Sequence, residues 1–183
     1  MKINEPRFFS LGFFVYISLV NKFKLTDITT MTNSNKWVIF DLDGTLALID
    51  DRRVFSTKDN GKIDWDKFFD PTNIKMDMPN VPVITMAQTL KAQGFNIAIF
   101  SGRSSGTKNA TIDWLNQFDV PFDSLTMRPL GSFTPDDILK SDWFSAKFPN
   151  KSDVLCIFDD RNKVVKMWRD KGIVCMHVAD GDF

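Results

Sequence analysis

Residues 36–46, KWVIFDLDGTL, constrain this chain more than any other stretch. Trp37, Val38, Ile39 and Phe40 are β-formers in a continuous apolar run without helical spacing, which predicts a strand buried on both faces. Asp41 and Asp43 then stand at its carboxyl end. Side chains two apart on a strand share a side, so both carboxyl groups enter one site, and Gly44 lets the backbone turn sharply behind them. Paired carboxylates at the end of a central strand suit a hard divalent cation such as Mg²⁺, which takes oxygen ligands and keeps waters that a phosphate can displace. The competing reading is an Asx-turn that happens to carry two acids.

Later apolar runs repeat the pattern. FNIAIF at 95–100 predicts a second buried strand leading directly into Ser101-Gly102-Arg103-Ser104-Ser105-Gly106-Thr107. A hydroxyl, a flexible backbone and an arginine at a strand end can bind phosphate oxygens, although a Gly/Ser-rich loop also serves as a plain turn. Its spacing does not match G-x-x-x-x-G-K-[ST], so it is no kinase P-loop. A third strand is expected around 124–127. DVLCIFDDR at 153–161 predicts a fourth, ending in Asp159 and Asp160. Neighbours on a regular strand face opposite ways, so one acid meets the metal while the other binds a neighbouring group. Four clustered aspartates without a cation would raise one another's pKa, which again calls for Mg²⁺. IVCMHV at 173–178 is the fifth strand; its His177 reads as structural.

Helices fill the intervals. Pro82 opens one with Val83, Met86, Ala87 and Leu90 on a single face, closed by Gly94. Residues 108–118 form the next, with Ile112, Leu115 and Phe118 inward. Pro135 opens a third and sets Asp136 and Lys140 one turn apart. Lys140 reads equally as a solvated cation or as the fixed positive charge that a metal-and-phosphate site needs beside its carboxylates. Val164, Val165 and Trp168 mark the last helix, closed by Gly172. Strands alternating with helices about every 30 residues predict an α/β, doubly wound parallel sheet with every candidate residue at its carboxyl edge.

Length and a 43% hydrophobic content suit one well-cored domain, 36–183. Residues 1–35 do not match it. FFSLGFFVYISLV at 8–20 is apolar for about a dozen residues, short for a bilayer span, and no A-x-A-like cleavage site follows. We expect an extension with no role in the fold, either upstream of a start at Met31 or a loosely docked arm, rather than a secretion signal. Residues 53–80 are a long polar connection directly after the two aspartates, with an aromatic patch at Trp65, Phe68 and Phe69; they read as a flap or small cap, or as a surface hairpin. Lys+Arg and Asp+Glu balance at 23 each, so any nucleic-acid contact must be local. Cys156 and Cys175, inside apolar runs, read as buried reduced thiols.

In order, DLDGT at 41–45, the strand ending in Ser101, Lys140 and the Asp159-Asp160 pair resemble the four motifs of the haloacid dehalogenase (HAD) superfamily of Mg²⁺ phosphohydrolases. Within it the chain is most similar to the 3'-phosphatase half of phage-type polynucleotide kinase-phosphatases. The matching pieces are FDLDGTLA, Arg52, SGRSSGTK, DDILK at 136–140, FDDRNKVVKMWRDKGI and the ending VADGDF, and they cover residues 36–183. The connection at 53–80 is longer and more aromatic than that family's.

The resemblance implies a HAD fold with a small cap or none, and a Mg²⁺-dependent phosphomonoesterase working through an aspartyl-phosphate on Asp41, with Asp43 as acid and then base. It implies Mg²⁺ held by Asp41, the Asp43 backbone carbonyl and Asp159, with Asp160 as an outer or additional ligand. Ser101, the Gly102 amide and Lys140 would bind phosphoryl oxygens, and Asp136 would orient Lys140. Arg52 and Arg103 would recognise the rest of the substrate, such as a neighbouring phosphodiester. The implied substrate is a phosphate monoester at a DNA or RNA 3' end. Neutral net charge and the long connection leave open a nucleotide or other small phosphate. The reading of another class is a catalytically silent or membrane-tethered binding module, although every acid and base position is filled. No stable membrane partner is expected, and a phage-encoded enzyme of this type would work in the host cytoplasm.

Overall fold

The computed structural model describes residues 33–181. The readings of residues 1–30 as extension, arm or signal lie outside them. The chain begins with β1 (Trp37–Phe40), β2 (Ala47–Leu48), α1 (Asp50–Phe55), α2 (Trp65–Phe68), β3 (Met78–Pro79) and α3 (Val81–Ala92). It continues with β4 (Asn96–Ser104), α4 (Lys108–Gln117), β5 (Ser124–Arg128), α5 (Asp136–Lys147), β6 (Val154–Arg161), α6 (Asn162–Asp170) and β7 (Cys175–Gly181).

The main sheet has the order β5-β4-β1-β6-β7, and all its pairings are parallel. Because β1 pairs with β4 on one side and β6 on the other, the crossovers part at its carboxyl end, the place where open α/β sheets bind ligands. The doubly wound reading therefore holds. Val38, Phe40, Ile97 and Ile99 pack with Ile84, Ala87, Trp114 and Leu115 from α3 and α4. Ile39, Ala98, Phe100 and Ile157 pack with Phe144, Val164, Val165 and Trp168 from α5 and α6. Helices on both faces explain why these strands lack alternating polarity: each buried aliphatic or aromatic side chain stabilises by about 1.5–3 kcal/mol, so neither face has room for a polar residue.

Some boundaries and faces differ from the sequence reading. In α3 the buried face centres on Ala87, flanked by Ile84 and the half-buried Val83 and Leu90. Met86 lies about 100° round from Ala87 and is 45% exposed instead of inward. In α4 the buried residues are Thr111, Trp114 and Leu115, with Ile112 and, just past its end, Phe118 at the margins. The segment from Ser101 to Ser104 continues β4 across a register shift rather than forming a loop, and β7 runs later than expected.

The connection after β1 is neither a loose loop nor a hairpin. β2 and β3 pair antiparallel, Ala47 with Pro79 and Leu48 with Met78, and close a neck around α1, α2 and a 3-10 turn at Asn73–Met76. Among the described residues no helix is long and apolar enough to cross a membrane.

Candidate active site

The loop after β1 is set by one carbonyl. Leu42 O accepts the amides of Thr45, Leu46 and Ala47 at 3.3, 3.0 and 2.8 Å, and Gly44 takes a φ of +87° that side chains avoid. Gly44 also leaves room: a Cβ there would lie 2.1 Å from Asp160 Oδ2, and one on Gly181 would lie 2.7 Å from the same oxygen. The two glycines form a recess for the Asp160 carboxylate, and Thr45 Oγ1 donates to its Oδ1 at 3.0 Å.

Asp41, Asp159 and Asp160 are buried, and each brings an oxygen within 4.8 Å of the others. A register shift in β6 after Asp159 accompanies this gathering of adjacent acids: Asp160 binds the neighbouring Thr45 and still keeps an oxygen beside Asp41 and Asp159. Lys140 reaches in from α5, buried, and its Nζ donates to Asp41 Oδ1 and Asp159 Oδ2, both at 2.7 Å. It is the fixed cation and not the solvated one. Burial opposes its charge, but Asp159 and Asp41 hold its pKa well above the usual lysine range. Burial raises Asp41 well above the carboxylate range; Lys140 opposes this, while Asp159 and Asp160 add to it. Burial and Asp159 push Asp160 up to about 6, against Thr45 and Lys140. Three buried carboxylates facing one lysine, with only hard oxygen donors and a recess shaped for one of them, fit a divalent cation.

Asp43 belongs to a different cluster. Its Oδ1 accepts from Arg52 Nη2 at 2.7 Å and from Arg103 Nε and Nη2 at 2.8 and 2.5 Å. The same two arginines grip Asp77, Arg52 Nε at 2.8 Å and Arg103 Nη2 at 2.6 Å, and Trp114 Nε1 donates to the Asp77 carbonyl at 2.9 Å. Arg52 further donates to Phe68 O at 3.0 Å and stacks 4.2 Å over the Phe68 ring. Burial works to raise Asp43, but Arg103 and Arg52 outweigh it and hold the carboxyl below its usual range. Burial and then Asp43 push Asp77 up to about 6, against the two arginines. Both arginines are 0% exposed and neither lines the cavity, which corrects their reading as substrate readers. Asp77 gave no signal in sequence, because one acid in a polar connection looks like any solvated acid.

A cavity of about 1010 Å³ opens over these groups, with Asp41, Asp43, Lys140, Asp160 and Gly102 in its wall. Ser101 is buried, and its Oγ accepts the Arg103 amide at 3.2 Å; of Ser101-Gly102-Arg103 only Gly102 reaches the cavity. Asp136 is also in the wall, but it pairs with Arg128 Nη2 and Arg161 Nη1. Lys140 takes its partners elsewhere, so Asp136 does not orient it. Arg128 Nε also donates to Gly102 O at 2.9 Å, and a Cβ on Gly102 would lie 2.9 Å from Asp136 Oδ1. Arg128 and Arg161, absent from the sequence reading, both line the cavity. Each ends a strand, so the rule that found the aspartates could have found them.

A parallel sheet whose central strand ends in DLDGT, beside a buried lysine and two further aspartates, defines a phosphatase of the HAD type. The class C acid phosphatase from Bacillus anthracis has this fold, with 16% identity, a TM-score of 0.55, and coverage of 92% of this chain and 79% of its own. More narrowly, the chain belongs to the family of the polynucleotide kinase PNKP phosphatase domain, which it matches over residues 35–183. It is 34% identical over 136 residues to a candidate bifunctional polynucleotide kinase/RNA ligase of Autographa californica nuclear polyhedrosis virus, covering 73% of this chain and 18% of the relative. A chain in the Pnkp1/Rnl/Hen1 complex is 33% identical with a TM-score of 0.68, over 81% of this chain and 47% of the other. The chain thus spans less than half the length of these two relatives.

Proposed function

We propose that this phosphatase removes the phosphate from the 3' end of a polynucleotide, through an aspartyl-phosphate on Asp41. The observation that carries the polynucleotide part is the Arg128–Asp136–Arg161 group in the wall of the same cavity as Asp41. A monoester alone needs one phosphate site, which Lys140 and the loop amides supply. Two further guanidinium groups match a second phosphate, the neighbouring phosphodiester.

In this mechanism a carboxylate oxygen of Asp41 attacks phosphorus in line, forming the oxygen–phosphorus bond of an acyl phosphate as the bond to the leaving oxygen breaks. Asp43 gives that oxygen its proton. It then takes a proton from the water that attacks the aspartyl-phosphate, releasing inorganic phosphate and restoring Asp41. Its two arginines favour the ionised, base form; the negative charge of an arriving phosphate ester raises its proton affinity toward the acid form. Lys140 remains charged, and the Gly102 amide serves the phosphoryl oxygens, while the buried Ser101 holds the backbone behind it through the Arg103 amide. Asp41, Asp159, Asp160 and the Asp43 carbonyl would hold a divalent cation, Mg²⁺ by its oxygen preference, which supplies charge neutralisation at the phosphoryl group.

The test is phosphate release from a 3'-phosphorylated oligonucleotide beside 3'- and 5'-mononucleotides, with and without Mg²⁺. The oligonucleotide should be preferred, and Arg128→Ala should cut that preference about tenfold or more, since a charged hydrogen-bonded contact is worth about 1.5–3 kcal/mol. Preference for mononucleotides would sink the polynucleotide part and leave a nucleotidase.

A further inference from the structure

The cavity over Asp41 is larger than a phosphate needs, and much of its remaining wall is aromatic or aliphatic. Trp65, Phe68 and Phe69 come from the insertion, and Phe133 from the segment between β5 and α5. Phe68 belongs to the core, with its ring under the Arg52 guanidinium. Trp65 and Phe133 do not; they are 58% and 95% exposed. The Trp65 and Phe69 rings are stacked, with centroids 5.7 Å apart and planes 19° apart, and Phe68 stands edge-on to both. A half-exposed indole with its plane already fixed by neighbouring rings is a stacking platform that has lost little freedom still to lose.

Charge and continuity identify the occupant. The same cavity wall holds Asp41 and Lys140, assigned above to a terminal phosphate, and Arg128 and Arg161, set around Asp136 and assigned to a second one, so on that reading what fills the apolar remainder is attached to those phosphates. At about 1010 Å³ the space sits at the upper end for ligand pockets, which leaves room beside the phosphates for a flat ring system. We propose that Trp65, with Phe133 from the other segment, stacks the nucleobase of the nucleotide whose phosphate is removed, so that the insertion selects ends carrying an intact, unpaired terminal base. This rests on the polynucleotide reading above and adds what the substrate carries beside its phosphates.

Arg52 fixes the register of the two parts. Its Nη1 donates to the Phe68 carbonyl and its Nη2 to Asp43 at 2.7 Å, so the aromatic wall and the proton-transfer group hang on one side chain. A base on Trp65 is thereby set at a fixed reach from the reacting phosphate.

Binding to the Asp41→Asn protein separates this proposal from the catalytic one. Two 3'-phosphorylated oligonucleotides, identical except that one lacks its terminal base, compete for the protein in fluorescence anisotropy, as do a nucleoside 3'-phosphate and ribose 3-phosphate. The base-bearing partner of each pair should bind about ten times more tightly, within the roughly 5- to 150-fold range for one stacked base. Trp65→Ala should bring that ratio close to one, while Trp65→Phe should restore most of it. A ratio near one in the unaltered aromatic wall, or one that survives Trp65→Ala, would overturn the proposal and leave the rings a docking surface for protein. Absence of phosphate release by the wild type would overturn the proposed reaction without touching this ratio.

Discussion

Two buried charge clusters lie side by side in this molecule and are built on opposite principles. Asp41, Asp159 and Asp160 set three carboxylates against Lys140. Asp43 and Asp77 are matched one for one by Arg52 and Arg103, in a closed ring of ion pairs that meets the cavity only at Asp43. The first cluster is two positive charges short, so it is completed by what it binds. The second is complete already, and desolvated charges are tolerated only when each has its partner. Unbalanced charge marks where a ligand is needed; balanced charge marks the frame that holds Asp43 in place.

Substitution should tell the two apart. Asp41→Asn is expected to lower phosphate release by at least about a thousandfold while the circular dichroism spectrum and melting temperature stay near wild type, because Lys140 keeps Asp159 as a partner. Asp77→Ala leaves two buried guanidinium groups short of an acceptor and should destabilise by about 3–5 kcal/mol, seen as a lower urea midpoint. Equal stability loss in both variants would erase the distinction.

A smaller effect should appear in pH. Without divalent cation Asp160 has its pKa pushed up from 3.8 to about 6. Stability from such a raised group is complete below the unfolded value and is lost as pH rises through the folded one. Melting temperature should therefore fall as pH rises from about 4 through 6, with Asp160, Asp77 and Asp41 acting in that direction and Asp43, whose carboxyl is held low, acting against them. Asp160→Asn should remove its share of that slope, and it should also remove the rise in melting temperature that the proposed Mg²⁺ site predicts for the wild type at neutral pH. A slope that persists unchanged in Asp160→Asn would place the repulsion elsewhere.

Much of the first cluster was legible in sequence, and little of the second. Apolar runs mark buried parallel strands directly, and a strand's carboxyl end is a fixed place in a doubly wound sheet, so Asp41, Asp159 and Asp160 could be located by counting. Lys140 was resolved only by the packing of α5, which buries it. The ring around Asp43 is made by residues separated by 25, 26 and 60 positions, Arg52 with Asp77, Asp77 with Arg103, and Arg103 with Asp43. No local periodicity encodes such a meeting; it depends on the insertion folding back. The direction of Arg52 and Arg103 was misread for the same reason, since arginines near a phosphate site look like ligands until the fold buries them outside the cavity.

The insertion's neck has a consequence for how this scaffold can change. β2 and β3 bring the two ends of the excursion together, and just inside them Arg52 and Asp77 tie the same two ends a second time. A segment clamped twice at its roots can be lengthened, shortened or exchanged between those roots while the sheet and its catalytic edge stay where they are, because the closure cost rises only slowly with loop length. Residues 56–76 are therefore a natural graft site. New substrate ranges could be built into this enzyme by exchanging the exposed parts of that stretch, provided Arg52 and Asp77 are kept at its roots and Phe68 and Ile74 in the core.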